Sequence, residues 1–198
     1  MYKVLSIDLD WLQSHFHLKK LNTIFFDKVK TADRIVFSRH HHMIVKELMN
    51  KDNIILHNID HHHDICYEDW QVPDIQNGRA THGCWVGNLI YLRKLNEYHW
   101  YKNGNSQVLN PYHNSYIFST DLIKDIDLPY HVEDDLTKAE LIDSYNLIFV
   151  CSSPEYMNNE YNIVYDVYKD MCKTNYNFKT DETHITPDLP NYPIRICK

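Results

Sequence analysis

Residues 58–64 read Asn58-Ile59-Asp60-His61-His62-His63-Asp64, and they follow the short apolar run Asn53-Ile54-Ile55-Leu56. Such a run is typical of a buried strand. If the strand stays extended, Asp60, His62 and Asp64 alternate along it and their side chains leave on the same side. Two carboxylates and an imidazole favour Mn²⁺, Mg²⁺ or Fe²⁺. The alternative is a solvated polar loop, but packing these ionisable groups together is costly unless a cation or water offsets it.

Length and composition narrow the classes of protein to consider. The chain has 198 residues, enough for one domain with a sizeable core, and its net charge of −7 gives no general attraction to nucleic acid or anionic membranes. An acidic residue at position 8 argues against a signal peptide, and no apolar run approaches the roughly 20 residues of a membrane span. Five cysteines without CxxC spacing predict reduced thiols in a cytoplasmic protein.

The histidines are concentrated in one part of the chain. Seven of the 14 lie between His40 and His63. The group His40-His41-His42 follows the strand candidate Asp33–Ser38 and precedes an amphipathic helix candidate, Met43–Met49. This strand-to-helix position predicts a second set of metal ligands, whereas one capping and two exposed histidines would be the alternative.

A pair of aspartates follows the first strand candidate, Lys3–Ile7. Asp8 and Asp10 stand two residues apart, which places both carboxylates on one face of an extended chain. Ligands of open α/β sheets bind at the carboxyl ends of parallel strands, so this position favours a metal-binding role. The alternative is that an aspartate caps the following helix; Asp10 could cap while Asp8 binds.

Two further candidates lie beyond these clusters. The segment Thr81–Leu92 is predicted to be a helix, with Thr81 as its cap and His82 in the first turn, where it suits a proton shuttle. The apolar run Tyr145–Cys151 predicts a strand, and Pro154 stops it so that Glu155 lies beyond the sheet edge. A surface histidine and a surface acid are the alternatives.

Strand candidates alternate with helix candidates along the whole chain. Helices are predicted over Leu18–Lys30 and Asn162–Cys172, and a further strand over Tyr116–Asp121. This alternation predicts a single α/β domain over residues 1–198, a three-layer sandwich with a mainly parallel sheet. Residues 175–198, with three prolines, are expected to form an extended tail.

The motifs resemble those of the ureohydrolases, the arginase and agmatinase family with a binuclear manganese site. The resemblance is closer to the small arginase-like proteins that include peptide arginases, which convert arginine residues in ribosomal peptides to ornithine. It extends from residue 5 to about residue 157, and DxHxD is its most specific motif. The stretches that carry it are Ile7–Trp11, His41–Val45, Asn58–Asp64, Glu68-Asp69-Trp70 and Ser153–Tyr156.

The resemblance implies an arginase/deacetylase-like fold and a set of six metal ligands. Asp8 and Asp60 would bridge two ions, which the resemblance implies are manganese. The two sites would be completed by His41 with Asp64 and by His62 with Asp10. His41 is preferred to His40 or His42 because the apolar positions of the following helix then match the family's spacing.

The order of the motifs departs from that of the arginases. There the DxD strand follows the DxHxD strand, whereas here it comes first. A circular rearrangement of a parallel sheet would preserve the site, because ligands gather by strand neighbourhood rather than by chain order. The expected strand order is therefore rearranged in sequence.

The resemblance also implies a reaction, hydrolysis of an arginine guanidinium to ornithine and urea. Two divalent ions about 3.5–4 Å apart lower the pKa of a shared water toward neutrality. Asp64 would orient the nucleophile and accept its proton, His82 would relay a proton, and Glu155 would hold the guanidinium through a charge-assisted pair. The chain is shorter than arginases that act on free arginine, which favours an open pocket and an arginine-containing peptide as the substrate; free arginine and agmatine remain alternatives.

Two other functions fit the same motifs. A deacetylase-like amidohydrolase of the same fold would use one zinc ion and would not need the second aspartate of DxD. A metal-binding or peptide-binding module would hold metal without catalysis. Metal content separates them, because two Mn²⁺ per chain favour the ureohydrolase and one tightly bound Zn²⁺ favours the deacetylase.

Overall fold

A computed structural model describes residues 1–67, 71–106, 128–136, 139, 141–173 and 178–181. Within these residues seven strands form one sheet, and every neighbouring pair is parallel. The strands are β1 (Tyr2–Asp8), β2 (Ile35–Ser38), β3 (Ile54–Ile59), β4 (Leu95–Tyr101), β5 (Tyr130–Glu133), β6 (Leu147–Cys151) and β7 (Phe178–Asp181). Their order across the sheet is β5-β4-β3-β1-β6-β2-β7.

Helices cover both faces of this sheet. They are α1 (His15–Lys28), α2 (Ile44–Leu48), α3 (Val72–Gln76), α4 (Trp85–Tyr91) and α5 (Asn162–Lys173). Helices α2, α3 and α4 share one buried cluster with the sheet, and α1 and α5 share the other. The predicted α/β three-layer sandwich with a strand order different from the chain order is confirmed.

The central strands are buried on both faces, which explains their continuous apolar sequences. In β6 all five residues are buried; Leu147 and Phe149 belong to one cluster, and Ile148 and Val150 belong to the other. Parallel strands covered by helices on both sides lack the polar alternation of half-exposed strands. This is why β1, β2, β3 and β6 could be recognised from the sequence.

Several elements differ from the sequence-based expectations. Strand β3 ends at Ile59, and α4 begins at Trp85 rather than at Thr81. Strands β4 and β5 were not predicted, and neither was α3, which has Pro73 in its first turn, where a missing N–H costs nothing.

Some expectations fall on other parts of the chain. The strand candidate Tyr116–Asp121, the stretch Glu68-Asp69-Trp70 and most of residues 175–198 lie outside the described residues. Residues 178–181 of the expected tail form β7, which pairs with β2 in the sheet. Among the described residues, no helix combines the length and apolar character needed to cross a membrane.

Candidate metal centre

Neighbouring strands bring the two aspartate motifs together. In the register of β1 and β3, Ser6 is paired with Asn58 and Ile7 with Ile59. Asp8 is the last residue of β1, and Asp60 directly follows β3, so both carboxylates emerge at the same edge of the sheet. Asp8 is 3% exposed and Asp60 is fully buried. The site is therefore built into the sheet edge rather than onto the surface.

Asp60, His62 and Asp64 converge through a tight loop. The expectation that they alternate along an extended strand is wrong, because β3 ends at Ile59 and Asp64 has a left-handed backbone with φ of 53°. The carboxylate of Asp60 holds the loop: its Oδ1 accepts a 2.8 Å hydrogen bond from the backbone N–H of His62. Its Oδ2 accepts one of 3.1 Å from the side-chain amide of Asn58.

The two aspartates after β1 have different partners. Asp8, not Asp10, caps the short 3-10 turn Leu9–Trp11, because its Oδ1 accepts a 3.1 Å hydrogen bond from the backbone N–H of Asp10. Its Oδ2 accepts a short hydrogen bond from the Ser153 hydroxyl. Oδ2 of Asp10 lies 2.8 Å from Nδ1 of His62, and Oδ1 of Asp10 accepts a hydrogen bond from the backbone N–H of His61. Asp8 therefore both caps the 3-10 turn and belongs to the site.

His41 follows β2, which is separated from β1 by β6 in the sheet, and its side chain reaches the same centre. It opens a 3-10 turn before α2, its ring stacks over Phe149 of β6, and its Nε2 lies 2.6 Å from the hydroxyl of Ser6. Its Nδ1 lies 3.1 Å from Oδ2 of Asp8, 3.2 Å from Oδ2 of Asp60 and 3.1 Å from Oδ2 of Asp64.

The buried Nδ1 of His41 provides a direct test of whether these residues fit a metal. It has no hydrogen-bond partner among the described residues, although three carboxylate oxygens surround it. Buried polar nitrogens normally make a hydrogen bond, so one that contacts three carboxylates without hydrogen-bond geometry needs an explanation. A nitrogen and three oxygens converging on one point without hydrogen bonds between them fit a cation as their common partner.

The donor atoms form two overlapping groups. Asp8, His41 and Asp60 each offer a ligand atom within 4.8 Å of the others, and so do Asp10, Asp60 and His62. Asp60 belongs to both groups, whereas Asp8 belongs only to the first. Each group has two carboxylates and one imidazole, a donor set suited to Mn²⁺, Mg²⁺ or Fe²⁺.

The charges of the site favour a cation. Burial raises the pKa of Asp60, and the Asp64 carboxylate raises it further. Burial and the neighbouring Asp8 carboxylate similarly raise the pKa of Asp10. Burial lowers the pKa of His62, but its hydrogen bond with Asp10 and the charge of Asp60 outweigh this and raise the pKa to about 10. Without a cation these groups therefore keep protons that a bound metal would displace.

Helix α4 holds the Asp64 end of the loop. The indole N–H of Trp85 donates a short hydrogen bond to Oδ2 of Asp64, and the N–H of Val86 donates one of 2.9 Å to its backbone carbonyl. A Cβ at Gly87 would lie 2.0 Å from the carbonyl oxygen of Ile65. The helix and loop thus approach so closely that only glycine fits at position 87.

We call the buried donors Asp8, Asp10, His41, Asp60 and Asp64 the floor, and the side chains of His82, Glu155 and Tyr156 the rim. His82 lies in the turn before α4, not in the helix as expected. Burial lowers the pKa of His82, and the charges of Glu155 and Asp8 act in the opposite direction. Glu155 is exposed; Tyr156 is 58% exposed, with its ring 5.5 Å from that of His62.

The structure adds detail on one histidine of the predicted 40–42 group and shows a site residue, Ser153, to which the sequence analysis gave no role. His42 is buried, and its ring centroid lies 4.4 Å from that of His82. Neither ring nitrogen of His42 has a hydrogen-bond partner among the described residues. Ser153 binds Asp8 and has φ of 39°. Non-glycine residues with such backbones occur at functional sites. The sequence signals for Ser153 were its position before a proline after a strand and its place in the stretch Ser153–Tyr156, which carries the family resemblance.

The chain was compared with known proteins at three levels. No family model matches it, and neither a curated protein nor a solved structure gives a significant match.

Proposed function

We propose that the chain is a binuclear metal hydrolase of the ureohydrolase type, which releases urea from the guanidinium group of an arginine side chain. The observation that carries the proposal is the sharing of Asp60 between two overlapping donor groups at one sheet edge. One carboxylate placed between two ligand sets is suited to a pair of ions. The mixed oxygen and nitrogen donors favour manganese over zinc.

The rim supports a cationic substrate. Glu155 is an exposed carboxylate, and its charge acts on His82 near the floor. A guanidinium entering between them would pair with Glu155 through charge-assisted hydrogen bonds. Because Glu155 and Tyr156 are exposed, we favour an arginine presented on a peptide over a fully enclosed amino acid.

The floor supports hydrolysis. A pair of divalent ions would supply a water of lowered pKa at neutral pH. Asp64, held by Trp85, would orient the nucleophile and accept its proton, since its Oδ2 faces the same point as His41. His82 would pass a proton to the departing ornithine amine.

The described cysteines are free, which agrees with our proposal of a cytoplasmic location.

Urea release tests the proposal. The full chain, cleared of metal and then supplied with Mn²⁺, should release urea from an arginine-containing peptide. Free arginine and agmatine should react more slowly, and the same protein without added metal should be inactive. Absence of urea from all three substrates, with metal bound, would refute the hydrolase. Release from free arginine alone would refute only the choice of substrate.

A further inference from the structure

A second cluster of histidines crosses strands β3, β4 and β5, on the side of the sheet order away from β1. His57, His99 and His131 are register partners on β3, β4 and β5. Their rings stack at centroid distances of 4.2 and 4.5 Å, with interplanar angles of 16° and 14°. His57 precedes Asp60 by three residues, or about 10 Å along an extended chain. This column of imidazoles is therefore separate from the floor.

A carboxylate completes the outer end of the column. Glu97 stands two residues before His99 on β4, so both side chains leave on one face of the sheet. Its Oε1 lies 2.8 Å from Nε2 of His99 and 3.4 Å from Nε2 of His131. One ligand atom from each of the three residues lies within 4.8 Å of the others.

We propose that Glu97, His99 and His131 bind one further divalent cation of the zinc type. Two imidazoles and one carboxylate, with a fourth position open to water, are an established donor set for Zn²⁺. This set has one carboxylate, whereas each donor group of the candidate metal centre has two, so the two locations prefer different metals. Neither location needs the other, and this inference does not rest on the proposed hydrolase.

The distances between donor atoms are close to those of a tetrahedron, but the ring of His131 has to turn out of its stack on His99 so that both nitrogens point at one ion. Ligand bonds of 2.0–2.1 Å place neighbouring donors about 3.3 Å apart at the corners of a tetrahedron. The contact from Glu97 to His131 already has this length, and the contact to His99 has to open by about 0.5 Å. The side chain of His131 is 57% exposed, so its ring has room to adjust and an ion can enter from solvent.

His57 has a different role in the column. Its Nδ1 lies 2.9 Å from the hydroxyl of Tyr101, and it is 1% exposed. Its ring backs that of His99 from the buried side and fixes the orientation of the ligand. We therefore assign His57 as a positioning residue.

The cation would join two strands. Glu97 and His99 belong to β4, and His131 belongs to β5, a four-residue strand at the end of the described sheet. A metal that binds the folded arrangement more tightly than the unfolded chain stabilises the fold. Zinc binding should therefore raise the melting temperature through these three residues.

Metal stoichiometry tests this site directly. Zn²⁺ bound per chain is measured by competition with a chromogenic chelator, and Co²⁺ spectra report tetrahedral coordination. The wild-type chain should bind one ion more than His131→Ala or Glu97→Gln and show a Co²⁺ signal that both variants lack. His15→Ala removes an exposed histidine of α1 and should behave as the wild type. The Asp60→Asn variant should keep the same Co²⁺ signal.

Thermal unfolding gives a second measurement. Zn²⁺ should raise the melting temperature of the wild type and of His15→Ala more than that of His131→Ala. Glu97→Gln preserves side-chain size, so it tests the site even if loss of the His131 ring disturbs β5. Equal stoichiometry and equal zinc stabilisation in wild type, His131→Ala and Glu97→Gln would overturn the proposal and leave the cluster as an ion-pair network.

Discussion

The floor and the rim of the candidate metal centre differ in what fixes their side chains. In the floor, Asp8 accepts hydrogen bonds from Ser153 and from the backbone, and Asp60 does so from Asn58 and the backbone. In the rim, Glu155 and Tyr156 project from an exposed turn. The floor is thus determined by the fold itself, whereas the rim can change without disturbing the sheet. Metal binding and substrate choice should therefore respond separately to substitution.

The largest effect is expected from Asp60→Asn in the floor. The variant removes a charge that both donor groups share, so metal binding and urea release should be lost together. Metal content by mass spectrometry and a urea assay measure the two effects. Asp166→Asn, on the exposed side of α5, is the matched control and should retain both. Full activity of Asp60→Asn would contradict the ligand assignment.

A change in the rim should separate binding of metal from turnover. Glu155→Gln keeps the shape of the side chain but removes its charge, so kcat/KM should fall about ten- to hundredfold, the equivalent of about 1.5–3 kcal/mol for a hydrogen bond to a charged group. Metal content should stay at the wild-type level. The control is Glu160→Gln, an exposed acid in the next turn. Loss of metal from Glu155→Gln would show that the rim and floor are not independent.

Backbone packing beneath the floor should affect stability. Gly87→Ala places a Cβ against the carbonyl of Ile65, and the backbone must shift. We expect the free energy of unfolding to fall by about 1–3 kcal/mol, as for other overpacked cores. Urea denaturation compares it with Gly104→Ala, where a Cβ meets nothing within 4 Å. Similar midpoints for both variants would contradict the close approach of α4 to the loop.

The smallest effect is expected from Ser153→Ala. It removes the hydroxyl that holds Asp8, and loss of such outer partners typically lowers metal affinity about 10- to 100-fold. We expect the lower end, because Asp8 keeps its hydrogen bond from the N–H of Asp10. Titration with Mn²⁺ measures the change, and Ser152→Ala is the neighbouring control. Equal affinities would mean that the backbone alone positions Asp8.

The central part of the fold could be predicted, because strands buried on both faces leave an apolar signal. The end strands could not. In β4, polar Asn96, Glu97 and His99 interrupt the apolar residues, and β7 lies in a segment expected to be a tail. Missing β4 and β5 also hid the column of His57, His99 and His131, because register partners are visible only when both strands are known.

The candidate site was predictable as a set of residue types but not as a geometry. The DxHxD spacing identified Asp60, His62 and Asp64, yet the reason given for their convergence was an extended strand, and the structure has a turn with a left-handed Asp64. The contact of Ser153 with Asp8 spans 145 positions in the chain. No local pattern encodes such a pair, because it arises from the adjacency of β1 and β6.

The position of β1 has a consequence for the folding route. Val4 pairs with Leu147 across the β1–β6 ladder, so closing this ladder joins parts of the chain separated by more than 140 residues. Such distant pairings are slow to form because loop closure costs entropy before contacts repay it. Tight binding of a metal ion should therefore occur late in folding, after β6 has paired with β1. It would then be confined to molecules whose central strands are already in place.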